Sequence, residues 1–248
     1  MTSVRVAADG TRRRILVDGL EAAVVDRDDP TYLEFPYMRW IADVFDVGWR
    51  AGVPLHAVHI GAGGCVLPRY LAATRPGSHS EAYENDAAVL EALTELLDLR
   101  AERGLKVRLG DGRQLLAARG ARSADIVVTD AFAGPVVPAH LTTREFQDEV
   151  RRVLRPGGVH LVNVIDAPPG RVARRQAATL LDAFAEVVLL APRGVVGGRR
   201  TGNVVLAAAD RTLSIARLRA RARGDHEVLD PAEVAVLAEG AGVLRDRR

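Results

Sequence analysis

The chain contains little cysteine and few aromatic residues. Cys65 is the single cysteine among 248 residues, so an internal disulfide is excluded and a reducing, cytoplasmic location suits the sequence. Aromatic residues make up 4% of the chain, whereas hydrophobic residues as a whole make up 48%. Valine, leucine and alanine must therefore supply most of the core. The length suits one α/β domain with small additions at its ends.

Long apolar runs are also absent. No run approaches the roughly 18–20 residues that a membrane span needs. No amino-terminal segment combines basic residues, an apolar stretch and a cleavage site, so secretion is not indicated. We therefore expect a protein without a membrane partner.

Lysine is nearly absent as well, since Lys106 is the only one. The positive charge comes from arginines, which lie among acidic residues along the whole chain and leave a net charge of only +2. A nucleic-acid-binding protein concentrates its cations on one surface. This composition predicts no nucleic-acid partner.

Turn and periodicity signals divide the chain into three segments, residues 1–50, 51–210 and 211–248. In the first, Asp18-Gly19 lies between two apolar runs and is a strong hairpin signal. Apolar residues at helical spacing follow over Tyr37 to Val47. The last segment has the pattern of an arginine-rich helical tail. We expect a small hairpin cap, a main domain and this tail.

The middle segment alternates strand and helix signals, which is the signature of a parallel α/β sheet. The predicted strands are Leu55–Ile60, Ser78–Tyr83, Lys106–Leu109, Ile126–Thr129, Val159–Val164, Val187–Ala191 and Val204–Ala208. The main predicted helices are Ala87–Leu99 and Arg144–Leu154. The strand at 78–83 is unusually polar for the interior of a sheet.

Four turn motifs follow predicted strands in order along the chain. They are Gly61-Ala62-Gly63-Gly64, Glu84-Asn85-Asp86, Gly110-Asp111-Gly112 and Asp130. The carboxyl ends of parallel strands meet at one edge of an open sheet, where the ligand crevice lies. The four motifs together predict a nucleoside-binding site.

The glycine loop permits close approach of a ligand to the backbone. Gly61, Gly63 and Gly64 follow a strand and precede a helix whose first N–H groups are unpaired. A tight turn without a ligand would have the same composition. A dinucleotide fingerprint would place a third glycine at position 66, where this chain has Val66. This difference argues against NAD as the ligand.

Carboxylates at the next two strand ends complete the predicted nucleoside site. Glu84 can accept hydrogen bonds from both ribose hydroxyls, and Asp86 suits either the ligand or a helix cap. Asp111, which precedes Gly112, can reach an adenine amino group. In isolation an Asx turn explains this pair better, but the presence of Glu84 favours the adenine role.

Asp130 is the predicted catalytic carboxylate. It could orient or deprotonate an attacking amine, and Phe132 and His140 lie in the loop that follows and that we expect to cover the substrate. His59 has the position of a packed core histidine. Cys65 has no nearby histidine partner for nucleophilic catalysis. No spacing of ligands suggests a metal.

The stretch from about Leu16 to Ala208 resembles the spermidine synthase group of aminopropyltransferases. The glycine loop, Glu84, Gly110-Asp111-Gly112 and Asp130 match that group's nucleoside and catalytic positions in order. The resemblance implies a class I methyltransferase (Rossmann-like) seven-stranded sheet and binding of S-adenosylmethionine or its decarboxylated form. It also implies a substrate-pocket role for Tyr37 and a homodimer formed through the hairpin.

Three departures from the group concern its amine substrates. Gly64 replaces an aspartate that contacts the aminopropyl amine and repels the carboxylate of intact S-adenosylmethionine. No second acid follows Asp130, and Met38 replaces the glutamine after Tyr37. Each lost charge-assisted hydrogen bond to a diamine is worth roughly 1.5–3 kcal/mol.

The sequence therefore favours methyl transfer from S-adenosylmethionine to a small, amine-type acceptor near Asp130. Aminopropyl transfer from the decarboxylated donor to a polyamine or an unusual amine is the alternative. A catalytically silent binding or dimerisation module of the same fold is the other alternative.

Overall fold

The computed structural model describes residues 2–97, 104–222, 224 and 226–247. Its strands are β1 (Val4–Asp9), β2 (Arg12–Val17), β3 (Leu20–Asp26), β4 (His56–Ile60), β5 (His79–Glu84), β6 (Leu105–Leu109), β7 (Ala124–Thr129), β8 (Leu154–Asp166), β9 (Glu186–Pro192), β10 (Gly202–Ala209) and β11 (His226–Leu229). Its α-helices are α1 (Pro36–Gly48), α2 (Val66–Thr74), α3 (Ala87–Leu96), α4 (Gly112–Ala117), α5 (Arg144–Val153), α6 (Arg171–Leu181), α7 (Arg193–Val196), α8 (Ile215–Arg221) and α9 (Pro231–Ala238). The last residues of the predicted helix Ala87–Leu99 lie outside the described part.

The described strands form two sheets. The small sheet has the antiparallel order β1-β2-β3, and the large one has the order β11-β9-β10-β8-β7-β4-β5-β6. Strands β4 to β8 run parallel, whereas β10 is antiparallel to both β8 and β9. This confirms the α/β fold class, and β9 and β10 add an antiparallel pair to the parallel strands.

Two strands were not among those predicted. β1 adds a third strand to the expected hairpin and pairs with β2. β11 adds an eighth strand to the expected seven and pairs antiparallel with β9, with Val228 opposite Leu190. The segment after residue 210 is therefore not purely helical. β11 has only four residues, too few to show a clear alternation.

The polar strand predicted at 78–83 is present as β5, between β4 and β6. Its polar residues have partners that make the position tolerable. The Glu81 carboxylate receives hydrogen bonds from Arg108 at 3.2 Å and from Arg119. Buried charge is acceptable in a sheet where it is paired in this way.

Apolar residues cover both faces of the large sheet. One cluster joins the inner face of the small sheet to α1 and α2, with Ile15, Val25, Ile41 and Phe45 among its members. The other joins α5, α6 and α9 to the opposite face, with the fully buried Phe146 among its members. The small sheet and α1 thus share a core with the main sheet, and this packing places the start of α1 above the carboxyl ends of the strands.

Candidate active site

Asp130 follows β7 at the edge where the parallel strands end, and two side chains hold its carboxylate. The Tyr37 hydroxyl donates to Oδ2 at 3.1 Å, and the Asn163 amide donates to Oδ1 at 2.8 Å. Tyr37 comes from the first turn of α1, and Asn163 comes from β8. Three separate elements therefore fix the orientation of one carboxylate.

Burial controls the proton affinities of this group. It raises the pKa of Asp130, and the hydrogen bonds from Asn163 and Tyr37 offset part of that rise. Burial and the adjacent Asp130 charge raise the pKa of Tyr37 well above its ordinary value. Tyr37 therefore stays a protonated donor, while Asp130 is a stronger proton acceptor than an exposed aspartate.

The sequence did not single out Asn163. Its side chain is 1% exposed, and its Oδ1 has no hydrogen-bond partner among the described residues. The one available signal was an amide within the strand predicted at Val159–Val164, whose other residues are apolar except for His160. A buried amide needs a partner, and here Asp130 supplies that partner for the Nδ2 group.

The glycines of the 61–64 loop are required for different reasons. Gly61 has φ +93°, and a Cβ there would collide with the carbonyl oxygen of Asp130. A Cβ on Gly63 would meet no described heavy atom within 4 Å, so its backbone faces open space. The loop thus packs tightly against β7 at one end and remains open in its middle.

Gly64 faces the small sheet. With φ +71°, a Cβ on Gly64 would lie 2.8 Å from Ala23 Cβ and 2.9 Å from Val25 Cγ2. Real Cβ atoms do not approach that closely, so β3 leaves no room for a side chain here. This packing explains the glycine without reference to any ligand carboxylate.

Glu84 ties the end of β5 to the glycine loop. Its Oε2 accepts from the Ala62 N–H at 3.2 Å, and its Oε1 accepts from the Asp86 N–H at 3.0 Å. Burial raises the pKa of Glu84, and these backbone N–H groups lower it in part. Asp86 caps α3 by accepting from Ala88 N–H at 2.9 Å, and a hydrogen bond from Thr2 lowers the pKa of Asp86.

Asp111 caps α4 and pairs with the predicted substrate-pocket histidine. Its Oδ1 accepts from the Gln114 N–H at 3.0 Å, and its Oδ2 lies 2.8 Å from His140 Nε2. A Cβ on Gly112 would collide with Ile60, so this glycine lets α4 pack against β4. His140 therefore lies on the predicted adenine side of the crevice, beside Asp111.

The remaining residues singled out from the sequence lie nearby or in the core. Phe132 is partly buried and packs against the apolar cluster around Phe146. Burial lowers the pKa of His59 to about 3, so this core histidine is neutral. Cys65 is buried at the start of α2 with φ +54°. In the described part of the chain, no group of three His, Cys, Asp or Glu side chains could hold a metal ion.

Comparisons with known proteins point to one group. No protein-family model matches the chain. The polyamine aminopropyltransferase of Vibrio vulnificus is 30% identical over 135 residues, which are 54% of this chain and 44% of that protein. The enzyme of the same name from Chromobacterium violaceum is 28% identical over 172 residues, 66% of this chain and 62% of that protein. The chain thus spans about half the length of these curated relatives.

A solved structure extends the similarity to the whole chain. A probable spermidine synthase from Corynebacterium glutamicum has a TM-score of 0.92 and 27% identity, and the match covers 100% of this chain and 94% of that one. The chain is spermidine synthase-like. The expected resemblance is confirmed, and the curated relatives are named as transferases.

More distant structures confirm the fold of this spermidine synthase-like chain. A spermidine synthase in complex with the transition-state analogue AdoDATO has a TM-score of 0.62 at 14% identity, over 95% of this chain and 85% of that one. Human methyltransferase-like protein 13 in complex with SAH has a TM-score of 0.59 at 21% identity, over 86% and 92%. The class I methyltransferase-like fold is therefore shown. Among the described helices, none is long and apolar enough to cross a membrane.

Proposed function

We propose that the protein transfers an aminopropyl group from decarboxylated S-adenosylmethionine to a small amine. The single observation that carries the proposal is the Asp130 carboxylate, held between Tyr37 and Asn163 beside the glycine loop. The names of the relatives support aminopropyl transfer rather than methyl transfer. The sequence favours methyl transfer, but aminopropyl transfer, which it offers as the alternative, has the better support from the relatives.

The crevice has the groups that an adenosyl donor needs. The open backbone at Gly63 allows a ligand to approach the loop. Glu84 already accepts two backbone N–H groups, but a carboxylate oxygen has more than one lone pair and can also accept a ribose hydroxyl. Asp111 can accept from the adenine amino group in the same way. Neighbouring folds that hold AdoDATO or SAH support this class of ligand.

The main argument for methyl transfer was the absence of an aspartate at position 64. That argument loses its force because β3 fills the space where a side chain at this position would lie. The glycine is needed for packing in either reaction. The choice between the two donors therefore depends on the relatives and on experiment.

The proposed chemistry is a displacement at carbon. The lone pair of the acceptor nitrogen attacks the methylene carbon next to the donor sulfonium, a C–N bond forms, and the C–S bond breaks. The electron pair of the broken C–S bond stays on sulfur, which leaves as the thioether of 5′-methylthioadenosine. The new ammonium group passes a proton to Asp130, whose raised pKa favours accepting it.

Within this mechanism the protein contributes mainly position. Asp130 accepts a hydrogen bond from the acceptor amine and aligns its lone pair with the reacting carbon. Tyr37 and Asn163 stop the carboxylate from rotating. Ala131 and Phe132 follow Asp130 where a polyamine site would need a second acid, so we propose that the acceptor is held through one amine.

The test is an assay for 5′-methylthioadenosine release. The purified protein is incubated with decarboxylated S-adenosylmethionine and a series of monoamines and diamines, in parallel with methyl-transfer assays using S-adenosylmethionine. The control is Asp125→Asn at the opposite end of β7, where Asp125 binds His56 N–H and Arg155. We expect the unaltered protein and Asp125→Asn to release 5′-methylthioadenosine, and Asp130→Asn to lose this activity.

Three outcomes separate the hypotheses. Release only from the decarboxylated donor supports the proposal. Methyl transfer without release would overturn it and restore the interpretation first drawn from the sequence. Binding of either donor without turnover of any amine would favour the silent module. The cytoplasmic location, the homodimer and the lack of a nucleic-acid partner remain predictions.

A further inference from the structure

Residues 241–247 form an extended segment, here named the strap, that follows α9 and runs to the predicted adenine side of the crevice. Two backbone contacts hold its middle. The Leu244 N–H donates to Thr179 Oγ1 of α6 at 2.9 Å, and the Arg144 N–H at the start of α5 donates to the Leu244 carbonyl at 2.8 Å. The strap therefore has a fixed course between two helices.

Asp246, near the end of the strap, binds Arg113 through both carboxylate oxygens. Arg113 Nη1 donates to Oδ1 at 2.8 Å, and Nη2 donates to Oδ2 at 2.6 Å. The Asp246 N–H also donates to Glu145 Oε2 at 3.0 Å. Arg113 lowers the pKa of Asp246 to about 2, so the pair stays ionised at neutral pH. Such a two-point contact fixes the plane of the guanidinium as well as its position.

Arg113 connects the strap to the crevice. The same Nη1 donates to the His140 carbonyl at 3.0 Å, and the His140 ring lies 2.8 Å from Asp111 Oδ2. A continuous path of contacts thus runs from Asp246 through Arg113 and His140 to Asp111. His140 lies near the end of the loop, residues 131–143, that follows Asp130.

We propose that Asp246 is a positioning residue for the nucleoside site. By fixing Arg113 it holds the end of the 131–143 loop and keeps the Asp111 carboxylate in place for adenine. This inference rests on the proposed function, because only an adenosyl ligand gives Asp111 its role. Without Asp246, the long Arg113 side chain loses its fixed direction, and the loop loses one of its anchors.

The experiment compares Asp246→Asn with Asp210→Asn in the full chain. Asp210 is a matched control because it also binds one arginine, Arg151 of α5, through contacts of 3.1 and 2.8 Å. Among the described residues, no hydrogen bond connects this pair to the crevice. Calorimetry with 5′-methylthioadenosine measures affinity, and hydrogen exchange measures the protection of residues 131–143. The melting temperature reports any general loss of stability.

We expect Asp246→Asn to weaken 5′-methylthioadenosine binding about threefold to tenfold, the range for a partly exposed ion pair with good geometry. Exchange in residues 131–143 should accelerate, whereas Asp210→Asn should leave both measurements unchanged. Asp246→Glu should recover part of the affinity. If the melting temperature falls equally in Asp246→Asn and Asp210→Asn, general destabilisation does not explain a loss of affinity that is confined to Asp246→Asn.

The negative results can be told apart. If the unaltered protein fails to bind 5′-methylthioadenosine, the proposed function is wrong, and the inference fails with it. If the unaltered protein binds and Asp246→Asn binds equally well, the strap only packs against α5 and α6, and the inference alone is overturned. Faster loop exchange with unchanged affinity would also overturn it.

Discussion

The two sides of the crevice hold their carboxylates by different means. On the nucleoside side, Glu84, Asp86 and Asp111 all accept hydrogen bonds from backbone N–H groups. On the acceptor side, Asp130 accepts from the side chains of Tyr37 and Asn163. Nucleoside-side carboxylates thus stabilise helix starts and the glycine loop, whereas the acceptor-side carboxylate is positioned for use. Changes on the first side should weaken folding and nucleoside binding together, and changes on the second should lower turnover while nucleoside binding is retained.

The largest expected effect comes from Asp130→Asn, which tests the acceptor side directly. Loss of a proton acceptor and positioning group should lower kcat by about 10²–10⁴-fold. Calorimetry should show that 5′-methylthioadenosine still binds, because no nucleoside-side group changes. Binding that disappears together with turnover would break the distinction between the two sides.

The same variant is expected to raise the stability of the protein although it lowers turnover. Burial raises the pKa of Asp130 in the folded state, so ionisation of this group costs folding free energy, and the cost grows as the pH rises from the ordinary aspartate pKa through the folded pKa. Asp130→Asn should therefore melt at a higher temperature than the unaltered protein at neutral pH. This advantage should shrink as the pH falls towards the ordinary aspartate pKa. Thermal melts across the acid range check this expectation.

Gly64→Ala tests whether packing explains the glycine. The new methyl group would collide with Ala23 and Val25, so the free energy of unfolding should fall by about 1–3 kcal/mol. Gly63→Ala is the matched control, because it also has positive φ but would meet no described atom within 4 Å. Donor preference should not change in Gly64→Ala, and Gly63→Ala serves as the control for stability only, because its methyl group would enter the open space that the ligand is proposed to use. If Gly64→Ala changed donor preference, position 64 would contact the donor, and packing would not be the sole reason for the glycine.

Glu84→Ala tests the nucleoside side. It leaves the N–H groups of Ala62 and Asp86 without their acceptor, and an unsatisfied buried donor costs about 1–3 kcal/mol. Denaturant unfolding and 5′-methylthioadenosine binding should therefore both weaken. Glu91→Ala, on the exposed surface of α3, serves as the control. Weaker binding at full stability would show that Glu84 acts on the ligand alone.

The smallest effect is expected from Tyr37→Phe. One neutral hydrogen bond is worth about 0.5–1.5 kcal/mol, so kcat should fall by no more than about tenfold. Because this hydroxyl lowers the pKa of Asp130, its loss should move the acid limb of the pH–rate profile to higher pH. Tyr70→Phe, whose hydroxyl binds the remote Asp46, should leave the profile unchanged. An acid limb that stays in place would show that Tyr37 does not act through Asp130.

The fold and the order of the strand ends along the crevice could be predicted from the sequence because the signals that define them are local. Apolar periodicity and turn residues are local signals, and they placed the parallel strands and their carboxyl ends in the correct order. The polar strand β5 could also be placed, because Glu84 lies at its end, at the expected position. The short strand β11 could not, since its four residues carry too little pattern.

The contacts that the sequence missed are all long-range. Asn163 meets Asp130 only because β7 and β8 are neighbours in the sheet. Gly64 is packed by β3, and that contact depends on how the small sheet sits on the large one. The link from Asp246 to Arg113 joins residues that are 133 positions apart in the chain. Of Asn163, Gly64 and Asp246, residue type suggested a role only for Gly64, and the folded chain shows the partners of all three.

The late strand β11 has a consequence for the solubility of the protein. It covers the open edge of β9, whose residues Val187–Ala191 are apolar and buried. An exposed, uncharged apolar edge strand is a template for pairing with other chains and for aggregation. While residues 226–229 are still being synthesised, or after proteolysis removes them, that edge is open. Four inconspicuous residues therefore protect the large sheet from self-association.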